Sequence, residues 1–123
     1  LLKTRTKEKQ SDHDKCVKNL ATEWVKEEWL VKADLENWYE KPSKIEKYVP
    51  DIEAKMGSLT IICEIETEDT FEAHREQWET FKKYCEKTKN YHFVGPIEAE
   101  KCKVFKLSNF LKILEPKQGE ENE

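Results

Sequence analysis

The run Gly57-Ser58-Leu59-Thr60-Ile61-Ile62-Cys63-Glu64-Ile65-Glu66 constrains the fold more than any other stretch, because it is the most apolar part of a chain that is otherwise mostly charge. Wound as a helix, it spreads Leu59, Ile61, Ile62, Cys63 and Ile65 around nearly the whole circumference. Drawn out as a strand, it sorts Leu59, Ile61, Cys63 and Ile65 onto one face and Thr60, Ile62, Glu64 and Glu66 onto the other. The period therefore favours a strand, and its β-branched content pushes the same way. A strand must be paired, and the candidate partners are residues 91–94 and part of 102–107.

Elsewhere the apolar residues follow helical spacing. Val17, Leu20, Trp24, Val31, Leu35 and Trp38 fall on one face over residues 11–39, with Ser11 and Asp14 placed as a capping box. This predicts one long amphipathic helix, with a break near residues 30–32 as its alternative form and an end at Lys41-Pro42. In residues 43–56 a helical stripe of Ile45, Tyr48, Val49, Ile52 and Met56 is interrupted by Pro50, which predicts two short helices stopped by Gly57. Asp69 and Glu72 open a further helix carrying Phe71, His74, Trp78, Phe81 and Cys85 at intervals of three and four, closed by lysines. Gly95-Pro96 turns the chain, and Pro96 stands where another helix would begin.

The 123 residues suffice for one domain. Charged residues make up 39% and apolar ones 37%, so burial depends on four tryptophans, five phenylalanines and four tyrosines. The expected organisation is a disordered basic arm over residues 1–10, a single globular domain over 11–114 and a disordered acidic tail over 115–123. Cys16, Cys63, Cys85 and Cys102 are even in number and widely spaced, which excludes CxxC redox and zinc-knuckle spacing and suggests a disulfide framework in a secreted protein. The favoured pairing is Cys16 with Cys63 and Cys85 with Cys102. The expected fold is thus a helix-rich α+β domain, a long N-terminal amphipathic helix plus a small sheet, stapled by two disulfides. An all-α disulfide-linked bundle is the alternative.

Taken alone, the segment LTIICEI resembles the last core strand of the MATH family of β-sandwich substrate adaptors. That sandwich requires several alternating strands upstream, where this chain has helical patterns, so the family's function is not carried over.

A balance of 22 basic against 26 acidic residues, net charge -4, disfavours a nucleic-acid partner, and no apolar window is long enough to span a bilayer. His13, His74 and His92 lie far apart without HExxH, GxSxG or P-loop patterns, so neither catalysis, a metal nor a cofactor is expected. The chain is expected to act by binding a protein partner, as an effector, venom component or other host-directed module. Trp29 is the lead: with Val25 and Ala33 it lies half a turn from the apolar stripe, surrounded by Lys26, Glu28 and Lys32, which is the composition of a binding hot spot. The alternative is a carrier of small hydrophobic ligands in a cavity lined by Trp24, Trp38, Phe71, Trp78, Phe81, Phe93 and Phe105. Odorant-binding proteins offer that comparison, yet their closely spaced middle cysteines are missing. A second alternative is an intracellular helical interaction domain with free thiols.

Overall fold

The apolar run becomes an inner strand with neighbours on both sides. In the computed structural model, which describes residues 4–114 and side chains as far as residue 110, it forms β3 (Leu59–Glu66). Three further strands complete a mixed sheet, β1 (Leu30–Ala33), β2 (Ile52–Met56) and β4 (Tyr91–Glu98), in the order β1-β2-β3-β4. β1 and β3 run antiparallel to β2, with Ala33 opposite Ile52 and Ile52 opposite Cys63. β4 runs parallel to β3, with Thr60 opposite Tyr91 and Cys63 opposite Val94. A parallel neighbour demands a crossover, and α2 (Arg75–Lys87) supplies it. The remaining helices are α1 (Lys7–Lys26) and α3 (Leu107–Leu114), with a 3-10 turn at Ala99–Lys101 between β4 and α3.

The sheet divides the interior. On one face, Cys16, Val17, Leu20, Ala21 and Trp24 of α1 pack against Val31, Ala33, Ala54, Ile61, Cys63, Ile65 and Val94. On the other, Phe81 and Cys85 of α2 pack against Ile62, Ile45 and the partly buried Tyr48, Tyr84, Tyr91 and Phe93. Both faces of β3 are therefore covered, and Thr60, Ile62, Glu64 and Glu66 are as buried as the opposite row.

Several expectations require correction. The described residues form an α+β protein with a four-stranded mixed sheet and three α-helices, not a helix-rich fold with two disulfides, and the sheet excludes the all-α bundle. The helix expected over residues 11–39 spans Lys7–Lys26, so residues 7–10 of the expected arm form its first turns, capped by Thr6, whose hydroxyl accepts the Lys9 N–H at 3.2 Å. It ends in a Schellman closure: Trp29 N–H reaches Trp24 O at 3.1 Å, Glu28 N–H reaches Val25 O at 2.9 Å, and Glu28 takes a φ of 73°. The two short helices expected over 43–56 are replaced by an Ile45–Tyr48 bridge with Glu46 at φ 57° and by β2, because Ile52 and Ala54 alternate into the α1 core. Pro96 opens no helix but continues β4 through a cis Gly95-Pro96 bond. The acidic tail expected over 115–123 and residues 1–3 of the arm lie outside the described residues.

A single disulfide joins Cys16 to Cys102, with Cα atoms 5.9 Å apart, and Cys63 and Cys85 are free and buried. Neither favoured pairing forms. Cys102 follows the 3-10 turn that packs on α1 and so meets Cys16, on the opposite side of the sheet from Cys85, which leaves Cys63 unpaired in the α1 core.

Candidate functional site

The residues expected to form a partner-binding face do not form one. Trp29 is 3% and Ala33 0% exposed, both within the α1 core, because the Schellman closure turns the chain and drives Trp29 inward against Trp24. Val25 and Lys26 remain exposed at the end of α1, and Lys32 lies across from Glu40 at 3.3 Å.

Nor do the aromatic residues converge on one cavity. Trp24 meets Phe105 edge to face, its indole N–H donating to Phe105 O at 3.0 Å, and Trp38 packs at the margin of the same core. Phe81 and Phe93 stand across the sheet in the α2 core. Phe71 and Trp78 pair with each other at the start of α2, 5.3 Å between ring centroids. Trp24, Trp38 and Phe105 thus serve the core on one side of the sheet and Phe81 and Phe93 the core on the other.

What the fold does bring together is a polar cluster that strand alternation alone would have sent to solvent. His13 on α1 places Nε2 3.1 Å from Asp51 Oδ1 and Nδ1 3.0 Å from Asp14 Oδ1. Asp51 Oδ2 accepts the Ile65 N–H at 2.8 Å, and Glu64 accepts the Asp51 N–H on Oε1 and the Gln77 amide on Oε2. Beside them, Glu66 Oε1 receives Arg5 Nη2 at 2.9 Å, Thr70 Oγ1 at 2.8 Å and lies 2.8 Å from His74 Nδ1. Glu66 is fully buried, and its Oε2 has no hydrogen-bond partner among the described residues.

Burial and charge work against each other here. Burial alone would depress the His13 pKa, but the Asp51 and Asp14 carboxylates outweigh it and raise the value above 6.5. Burial would likewise raise Asp51, yet the His13 imidazolium and the Ile65 N–H hold it below 3.8. Glu64 is pushed well up, by burial first and then by the neighbouring Asp51 charge, so of the two carboxyl groups Glu64 holds its proton to the higher pH. A cleft of 210 Å³ reaches this cluster between Arg5, His13, Asp34, Asp51, Glu64 and His74. Among the described residues no group of three or more His, Cys, Asp or Glu side chains is arranged so that it could hold a metal ion.

The larger concavity adjoins it. A cleft of 570 Å³ runs between α1 and the β1–β2 connection, lined by Lys7, Gln10, Ser11, Asp14, Lys15 and Lys18 on one side and Leu35, Glu36, Asn37 and Trp38 on the other. Gln10 and Asp14 line both concavities, so the wall between them is the hydrogen-bonded Gln10, Asp14 and His13 set. The far wall is braced from within: Trp38 donates its indole N–H to Val31 O at 3.0 Å, Trp38 N–H bonds Leu35 O, Ala33 N–H bonds Glu40 O, and the Lys41 ammonium donates to Leu35 O. Such bracing reduces the ordering cost that a loop otherwise incurs on binding.

Of these lining residues, only Trp38 belongs to the expected sites. The apolar spacing places Leu35 and Trp38 in the buried stripe of a long helix, which conceals their place across from Lys7, Lys15 and Lys18. The spacing 7, 11, 14, 15 and 18 was visible as one helical face, but it becomes a wall only when the chain reverses at Glu28. No protein-family model matches the chain, and no curated protein or solved structure matches it either.

Proposed function

We propose that the chain is a secreted, non-enzymatic protein that acts by binding a protein partner, and that the partner docks in the cleft between α1 and residues 35–38. The observation that carries this reading is the 570 Å³ cleft itself, open along its length and walled on one side by the half-buried Leu35 and Trp38 on a hydrogen-bonded loop. An apolar anchor entering it would displace water from both side chains, which is how a few residues come to dominate an interface. Secretion is supported by the Cys16–Cys102 disulfide, and no helix among the described residues is long and apolar enough to cross a membrane. A non-catalytic role is supported by the way the acid–base groups engage one another: His13 with Asp51, Glu64 with Gln77, and Oε1 of Glu66 with Arg5.

The test is site-specific photo-crosslinking in the extracellular fluid in which the protein acts, with the photoreactive residue at position 35 and, as a control, at Lys83 on α2. The proposal expects a partner captured from position 35, not from position 83, and lost when Trp38→Ala is combined with it. Equal capture from both positions would remove the cleft from consideration.

A further inference from the structure

The cleft has a charge character that its apolar wall does not explain. Lys7, Lys15 and Lys18 line it, all three are exposed, and none is within ion-pair distance of a carboxylate among the described residues. Some cations of the chain find carboxylates, as Arg5 does Glu66 and Lys9 does Glu100, while others such as Lys26 and Lys83 find none among the described residues, so it is the placement of these three along one wall of the cleft that matters. Two carboxylates share the lining. Asp14, which accepts from Gln10 and lies against His13, stands on the same helix, and Glu36 stands on the opposite wall, so the lysines outnumber the carboxylates of the lining by one.

From Lys7 to Lys18 is eleven residues, roughly 16 Å of helix axis, or the reach of about five residues of extended chain. Three ammonium groups strung over that length suit several carboxylates in a row better than the single headgroup of a fatty acid, which one lysine would satisfy. The cleft is also open along its side, so an alkyl tail would remain in contact with water, whereas a peptide needs to bury only one or two side chains. Resting on the docking reading above, we infer that the occupant is an acidic peptide segment of the partner, with carboxylates on Lys7, Lys15 and Lys18 and one large apolar side chain between Leu35 and Trp38.

The experiment uses the full chain with its disulfide intact and three synthetic pentapeptides: a central leucine flanked by two glutamates on each side, the same peptide with glutamines, and the same with lysines. Sodium dodecanoate is the fourth probe. Binding is read by nuclear magnetic resonance from the Trp38 indole N–H and the backbone amides of residues 7–18 and 35–38. The inference expects the glutamate peptide to shift these signals with an affinity at least about tenfold above the glutamine peptide, a gap that narrows as salt is raised. It expects Lys15→Glu/Lys18→Glu to reverse the preference toward the lysine peptide, and Lys15→Arg/Lys18→Arg to retain it. If the glutamate and glutamine peptides bind the cleft equally, the charge assignment is wrong while the docking site stands. If no peptide disturbs residues 35–38, the docking reading fails with it. If dodecanoate alone binds there, the site is a lipid-carboxylate site and the inference is overturned.

Discussion

His13 Nε2 lies 3.1 Å from Asp51 Oδ1, and Asp51 Oδ2 holds the Ile65 N–H at 2.8 Å, so one carboxylate ties α1 to the entrance of β2 and to the end of β3. The wall shared by the two concavities hangs on this contact through Asp14. Removing the imidazole leaves a buried carboxylate without its cation, and His13→Ala is expected to lose about 3 kcal/mol of stability in denaturant titration. His13→Gln, which keeps a donor but no charge, is expected to recover only part of it.

The same cluster sets a pH dependence. His13 binds its proton more tightly folded than unfolded, so its contribution is complete below its ordinary 6.5 and is lost as pH rises through the raised folded value. Glu64 is raised too: above its ordinary 4.5 the unfolded chain releases a proton that the folded chain retains, and stability falls with rising pH. Asp51 is lowered, so its contribution is complete above 3.8 and is lost as pH falls through the depressed folded value. Thermal unfolding is therefore expected at a higher temperature at pH 5 than at pH 8. In Glu64→Gln that difference should shrink, because one of the two groups responsible is gone. A midpoint that climbs steadily from pH 5 to pH 8 would contradict the protonation pattern.

Glu28 sits at φ 73°, in the left-handed position that ends α1, and is exposed. A residue with a Cβ is strained there, and Glu28→Gly is expected to stabilise the protein by about 1 kcal/mol, read as a higher unfolding midpoint. Trp29, the next residue, packs in the core beside Trp24, and Trp29→Ala is expected to cost about 3 to 5 kcal/mol. A Trp29→Ala protein as stable as its parent would return Trp29 to the surface.

Much of the fold can be read from the chain, and the failures have common causes. β3 is legible because period two and β-branching agree in Leu59–Glu66, and α2 is legible because Trp78, Phe81 and Cys85 repeat at helical spacing. α1 is overextended because Glu28 occupies a position where glycine is the usual signal, so nothing local announces the reversal. β1 and β2 are missed because four or five residues satisfy either period, and only the pairing of Val31 with Ala54 and Ala54 with Ile61 decides. The polar cluster is hidden for a different reason: Glu64 and Glu66 alternate outward on β3, and their burial depends on α2 and the segment before it closing over that face.

The cysteines offer a direct chemical check. In denaturant without reductant, alkylation is expected to label two thiols, Cys63 and Cys85, and peptide mapping to recover Cys16 linked to Cys102. In the folded protein both thiols should resist alkylation, since burial pushes Cys63 well up, while burial and then the Glu86 carboxylate push Cys85 to about 12. The disulfide closes a span of 86 residues and is expected to contribute on the order of 4 to 5 kcal/mol, lost on reduction. Recovery of two disulfides would contradict the arrangement of the two cores.

Hydrogen exchange on the captured complex tests the proposed docking of a partner between α1 and residues 35–38 most directly. Amides of residues 34–38 are expected to exchange more slowly in the complex than in the free protein, together with side-chain protection of Lys7, Lys15 and Lys18 from acetylation, while α2 and β4 remain unchanged. Protection confined to α2 or to the outer edge of β4, with residues 34–38 unaltered, would place the docking surface elsewhere.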